Sequence, residues 1–187
     1  SVSDLEALRE KVNKDGFTFS DAYFKMDADI TLPDGWKPIG ATKDGRVNLQ
    51  EGANLNAFSG IFDGAGHTIT VPEDGLPLFG YVRNTRIRNL NIYGKKIAGY
   101  GLVNNFEGVG LSGSAVEIDN VTLKSGSSTL KSGLLGANKT VNGYAGCSAA
   151  FVATITNCTI EKGVVVGYDK KQSQIGAIAG RMQGTIK

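Results

Sequence analysis

The apolar positions of this chain follow two different periods. Near the start, Leu5, Leu8 and Val12 recur at spacings of three and four, the period of one helical face. Ser3 and Glu6 have the spacing of a capping box, in which each side chain satisfies a backbone N–H of the first turn. This pattern predicts a helix over residues 3 to about 12, ended by Asn13-Lys-Asp-Gly16. From Phe17 the period shortens toward two. Phe17 to Lys25 and Met26 to Leu32 are β-leaning with partial alternation, and Pro33-Asp-Gly35 reads as a turn. Trp36-Lys-Pro-Ile-Gly40 follows, and the polar, glycine-bearing stretch from about Thr42 to Asn56 is expected as a surface loop.

From Phe58 onward the predicted strands are short and separated by Gly, Asn and Ser corners. Phe58-Ser-Gly-Ile-Phe-Asp-Gly-Ala-Gly-His-Thr-Ile-Thr70 holds a strand, a glycine-built corner and a second strand. One phrase then returns three times, as Ile87-Arg-Asn-Leu-Asn-Ile92, Ile118-Asp-Asn-Val-Thr-Leu123 and Ile155-Thr-Asn-Cys-Thr-Ile160. A second, glycine-bearing phrase alternates with it: Leu78-Phe-Gly80, Gly101-Leu-Val-Asn104, Gly133-Leu-Leu-Gly136 and Gly176-Ala-Ile-Ala-Gly180. Each repeat therefore holds at least two strands. The markers Ile87, Ile118 and Ile155 stand 31 and 37 residues apart, too uneven for propeller blades. Stacked repeats of a solenoid tolerate such variation, because loops can bulge at corners, here 107–114 and 139–148, without disturbing the stack. A two-sheet sandwich would instead show longer alternating strands joined by hairpin dipeptides.

The phrase carries a geometric constraint. Ile87, Leu90 and Ile92 cannot all face inward on one straight strand, since 87 and 90 differ by an odd number and side chains alternate with period two. The chain must bend at Asn89, and asparagine tolerates the left-handed conformations that a corner needs. Asn89, Asn120 and Asn157 are expected to stack on successive turns as a ladder of amides. The same register sets Arg86 beside Glu117 and Arg88 beside Asp119, predicting two ion pairs across parallel strands.

Composition adds little that is specific. The 187 residues suit one domain. The 26 glycines against 4 prolines mean many tight corners. A net charge of +2, spread along the chain, gives no footprint for nucleic acid. No apolar run is long enough to insert in a membrane, and the first residues carry no signal-peptide pattern.

These residues resemble bacterial cell-surface repeat proteins carrying the GLUG motif, named for a Gly-Leu-x-Gly phrase. The resemblance runs through Trp36-Lys-Pro-Ile-Gly40, the 58–69 segment, Leu78-Phe-Gly80, Ile87-Arg-Asn-Leu-Asn-Ile92 and Gly133-Leu-Leu-Gly136, and includes the opening Leu5-Glu-Ala-Leu-Arg-Glu-Lys-Val-Asn13. It implies an all-β fold: a right-handed parallel β-helix in large exported proteins, often adhesin-like or attached to extracellular hydrolases. The expected architecture is a β-helix of four to five turns, with repeats over 36–187 and the helix covering one end. Gly101-Leu-Val-Asn104 and Gly176-Ala-Ile-Ala-Gly180 depart from the motif. Gly184-Thr-Ile-Lys187 looks like the start of another phrase, from which further domains of the same polypeptide are expected.

The resemblance brings no catalytic motif, so candidate chemistry rests on single residues. Asp63-Gly-Ala-Gly-His67 superficially resembles a phosphate or metal loop but lacks Gly-Lys-Ser/Thr. The expected roles are structural, with Asp63 bonding turn amides and His67 filling or capping the bend. Asp27 with Asp29, and Glu117 with Asp119, alternate on strand faces, and Arg83, Arg86 and Arg88 lie nearby. A calcium-dependent polysaccharide lyase would use such groups, and that reading rests on fold analogy alone. The one histidine lacks a nucleophile elbow, so Ser or Cys catalysis is not expected. Cys158 takes the phrase position of Leu90 and Val121 and should face the core. Cys147 lies in the loop before it, so a disulfide and two free thiols both remain open. Tyr81, Tyr93, Tyr100, Tyr144 and Tyr168 fall near corners, and Tyr93, Tyr100 and Tyr144 are the candidate platform for a glycan or a partner protein. The functional expectation is a non-enzymatic module of an exported surface protein, without cofactor. It would serve as a spacer or binding surface, with a carbohydrate-binding module of a secreted enzyme as the alternative.

Overall fold

The computed structural model describes residues 1–42, 56–107, 116–138, 153–169, 175–181 and 184–187. Helix α1 (Val2–Asn13) is followed by β1 (Tyr23–Lys25), β2 (Ile30–Thr31), β3 (Ile61–Asp63), β4 (Thr68–Thr70), β5 (Phe79–Arg83), β6 (Arg86–Tyr93), β7 (Val103–Glu107) and β8 (Val116–Leu123). Then come β9 (Ser128–Thr129), β10 (Leu135–Asn138), β11 (Ala153–Thr156), β12 (Thr159–Ile160), β13 (Val165–Val166), β14 (Ala179–Arg181) and β15 (Gly184–Ile186).

The strands form three parallel sheets, visited in rotation. The long sheet runs β1-β3-β6-β8-β11-β15, with β2 and β4 continuing it over the second half of β6 and β12 over the second half of β8. The second sheet runs β5-β7-β10-β14, and the third joins β9 to β13. Bridges from Gly75 to Ile97 and from Ile97 to Thr129 extend the third sheet to earlier passes. All described pairings are parallel, as the repeat pattern requires, because each strand meets the same strand of the next pass rather than its own neighbour in sequence.

Register explains the core. Phe24, Phe62, Ile87, Ile118, Ile155 and Ile186 occupy one line across the long sheet. Ile30, Ile69, Ile92, Leu123 and Ile160 occupy a second. Phe62, Ile87, Ile118, Ile69, Ile92 and Leu123 are all buried, each contributing about 2 kcal/mol of apolar burial. Between the two lines Asn89, Asn120 and Asn157 have φ of 51°, 51° and 54°. That left-handed residue reverses the in–out parity, so Leu90 and Val121 join the core together with Ile87 and Ile118.

The second phrase has its own physical reason. A Cβ on Gly133 would overlap the carbonyl of Ala177 in the next pass, and one on Gly101 would overlap that of Gly133. The glycines let successive backbones approach across the second sheet, while Leu102, Leu134 and Leu135 fill the core.

Helix α1 packs Leu5, Leu8 and Val12 on this core. Its capping differs from the expected Ser3–Glu6 box. The helix begins at Val2, so Ser1 is the cap residue and Asp4 its partner, with Ser1 Oγ donating to Asp4 Oδ2 at 2.7 Å. At the other end Asn13 fastens the helix. Its Nδ2 donates to Pro38 O at 2.9 Å, its Oδ1 accepts from Gly40 N at 2.8 Å, and its carbonyl accepts from Asn56 Nδ2 at 2.7 Å. The predicted loops fall mainly at 43–55, 108–115 and 139–152, outside the described residues.

Candidate functional site

The outward face of the long sheet, ahead of the asparagine column, gathers most of the candidate chemistry. Strand alternation places Tyr23, Ile61, Arg86, Glu117 and Thr154 in one row, and Lys25, Asp63, Arg88, Asp119 and Thr156 in the next. Three cations and three carboxylates therefore share these two rows, with Asp63 buried among them. Arg86, Arg88, Glu117, Asp119, Thr154 and Thr156 border an open depression of about 330 Å³ there.

Asp63 is the hub. Only 6% exposed, it accepts from Ala65 N at 2.9 Å, Tyr23 Oη at 2.8 Å, Arg88 Nε at 2.9 Å and Asn89 Nδ2 at 3.1 Å. Burial alone would raise its pKa. The Ala65 amide, Tyr23, Asn89 and Arg88 outweigh that and hold the carboxyl at about 2. Arg88 also lies 5.7 Å from the centre of the Tyr23 ring, so phenol, guanidinium and carboxylate fix one another's positions. A Cβ on Gly64, the next residue, would lie 2.6 Å from Asn89 O and 2.8 Å from Leu90 Cα. Only glycine lets Asp63 reach the corner of the following pass.

The expected ion pairs form in part. Arg86 Nε contacts Glu117 Oε2 across the strands. The Arg88–Asp119 pair is replaced: Arg88 turns to Asp63 on the preceding strand, where buried hydrogen bonds already hold the carboxylate. Asp119 accepts instead from Thr156 Oγ1 at 2.7 Å and Asn157 Nδ2 at 2.8 Å, which lower its pKa. The amide ladder is likewise mixed. Asn120 Nδ2 donates to Asn89 Oδ1 at 2.9 Å, while Asn89 and Asn157 donate to Asp63 and Asp119. The carboxylates intervene because they sit one residue before the corner and accept more strongly than an amide.

The other candidates lie elsewhere. His67 stands beyond the corner, with Nδ1 3.3 Å from Oδ1 of the exposed Asp29, whose same oxygen accepts from Thr68 N at 2.8 Å. Tyr93 ends β6 on the far side of the asparagine column, half-buried and in register with Thr70. Tyr100 is corrected: it is buried, its phenol pKa is raised by that burial, and Lys131 lies 5.4 Å from its ring, so it offers no open platform. Tyr81 is fully buried, not a corner cap. Tyr144 and Cys147 lie outside the described residues. Arg83 belongs to the second sheet, apart from Arg86 and Arg88. Cys158 is a half-buried free thiol packed on the core, its Sγ 3.2 Å from Thr156 O. Among the described residues no group of three or more His, Cys, Asp or Glu side chains is arranged to hold a metal ion. Among the same residues no helix is long and apolar enough to cross a membrane.

Sequence reasoning missed Tyr23 and the Asp63–Arg88 contact. The signal was present. Aligning Phe62 with Ile87 carries the Ile-x-Asn register back one pass and sets Asp63 beside Arg88. Comparison with family models, with curated proteins and with solved structures gives no match.

Proposed function

We propose that this chain is a non-enzymatic binding module of an exported bacterial surface protein, folded as a right-handed parallel β-helix of the kind its GLUG-like phrases imply. In this reading the three sheets are the three faces of one coil, and the binding surface is the outward face of the long sheet around Arg86, Arg88, Glu117, Asp119, Thr154 and Thr156.

One observation carries the reading: a charge-balanced array of donors and acceptors that hold one another and border an open depression. Three cations against three carboxylates leave no net field to select a strongly charged ligand, while hydroxyls, guanidinium edges and carboxylate oxygens alternate every few ångströms. Such a surface matches a polyhydroxyl chain, each hydroxyl both donating and accepting. The exposed ring of Tyr23 at its margin supplies an apolar plane on which a sugar can stack. Glu117 is engaged by Arg86, and Asp119 by Thr156 and Asn157, which favours a place in this array over the calcium-holding role a lyase would give them.

A glycan array probed with the chain, repeated with the Arg86→Ala/Thr154→Val double variant, tests this. Binding to neutral oligosaccharides that falls at least tenfold in the variant supports it. Absence of any glycan signal leaves the spacer role of the same coil. Calcium-dependent turnover of a uronic-acid polymer would replace it with a lyase.

A further inference from the structure

Among the described residues the long sheet ends at β1, whose outer edge lies beside an apolar slot. Among the described residues β1 pairs with β3 alone. Ile61 N donates to Ala22 O and Met26 N donates to Asp63 O, each at 2.9 Å, so residues 22, 24 and 26 direct their backbone polar groups toward β3. By alternation the N–H and C=O groups of Tyr23 and Lys25 point the other way, to the outer edge. Both residues are exposed.

Alongside this edge, α1 packs Leu5 and Leu8 on the core. Its C-terminal end is tied down through Asn13, but its first turns enclose a slot of about 410 Å³ against β1 and β2. Leu5, Leu8, Phe19, Phe24, Ile30 and Phe62 line it. Phe24 and Ile30 are the first members of the two core columns, so the slot continues the core one strand beyond β1. Phe19 at its mouth has φ 58°, a left-handed conformation that costs a bulky residue about 1 kcal/mol or more. This conformation sets its ring edge-on to Phe24, with centroids 5.4 Å apart.

We propose that the edge of β1 and the α1 slot together bind an extended peptide by strand addition. The peptide backbone pairs with Tyr23 and Lys25, and one large apolar side chain enters the slot between Leu8 and Phe24. Alternate side chains point outward, continuing the rows of Tyr23 and Lys25. A lipid chain or aromatic small molecule would fill the slot but leave the row of backbone donors and acceptors beside it unmatched. A peptide strand satisfies both, and this combination of edge and pocket is how strand-adding modules combine affinity with side-chain choice.

The test is selection of random nine-residue displayed peptides on the full chain, followed by calorimetric titration of synthetic copies of the enriched sequences. Enrichment of alternating apolar and polar residues is expected. Lys25→Pro removes an edge N–H without touching the β1–β3 ladder and should weaken binding about tenfold. Leu8→Trp fills the slot and should abolish binding. N-methylation along the peptide reports on strand pairing without altering the protein, and should weaken binding at every second amide only. No enrichment, enrichment of helical periodicity, or binding indifferent to Lys25→Pro and to N-methylation would overturn the proposal.

Discussion

Replacing Asp63 by asparagine removes one charge and almost no volume, which makes it the sharpest probe of how the polar face is held together. Four donors converge on the carboxylate, from Ala65 N, Tyr23 Oη, Arg88 Nε and Asn89 Nδ2. An amide accepts through one oxygen and directs its own N–H groups at other donors, so at least two of the four lose their acceptor. The carboxyl pKa of about 2, against 3.8 for an unperturbed aspartate, corresponds to about 2 kcal/mol of folding stability from ionisation. Because the folded pKa is depressed, this contribution is complete above about pH 5. It declines as the unfolded chain begins to protonate near 3.8 and disappears as pH falls through about 2. Urea unfolding of Asp63→Asn at pH 7 should show a loss of about 2 to 3 kcal/mol. At pH 3 roughly half of the ionisation part of that difference should remain. A loss below about 1 kcal/mol at pH 7, or a difference that does not change with pH, would refute the account of Asp63 as a charged hub.

Four further substitutions, at three positions, separate the contributions to the corners and rows. Asn120→Ala must hold φ 51° and forfeits the bond to Asn89, costing about 2 kcal/mol. Asn120→Gly forfeits only the bond, at about 1 kcal/mol, and equal losses in chemical denaturation would count against the left-handed requirement. Gly64→Ala pushes a Cβ to 2.6 Å from Asn89 O, backbone that cannot swing aside, and should cost about 3 kcal/mol with a clear fall in melting temperature. Glu117→Gln breaks an exposed pair with Arg86 and should change stability by less than about 1 kcal/mol, with a larger loss in urea titration showing a deeper role.

The parallel strands and their register were legible because they rest on periodicity. The odd spacing between Ile87 and Leu90 forces a bend, asparagine is suited to it, and the register of Arg86 with Glu117 follows from counting alone. What counting cannot rank is competition among partners. Arg88 stands beside both Asp119 and Asp63 in the register, and the choice of Asp63 depends on burial and on Tyr23, which arrives from a strand outside the three repeated phrases. Exposure was the other blind spot. Tyr81 and Tyr100 fall near corners in the sequence as members of a solvent platform would, yet both are buried.

The asparagine column also divides the outward surface in a way that bears on binding. A left-handed residue in each long strand bends it, so the rows before and after Asn89 and Asn120 face different directions. Before the column lie Arg86, Arg88, Glu117 and Asp119. After it lie Thr68, Asn91, Thr122 and Thr159 in one row, with Thr70 and Tyr93 paired beyond. A rigid ligand lying flat on the charged rows touches that facet alone, and Tyr93 belongs to the other. Arg86→Ala should therefore weaken glycan binding about tenfold, the loss of a charge-assisted bond, while Tyr93→Ala leaves it within about twofold. Equal losses at the two positions in the same titration would mean that the ligand wraps the corner, and that the asparagine column is part of the contact rather than its boundary.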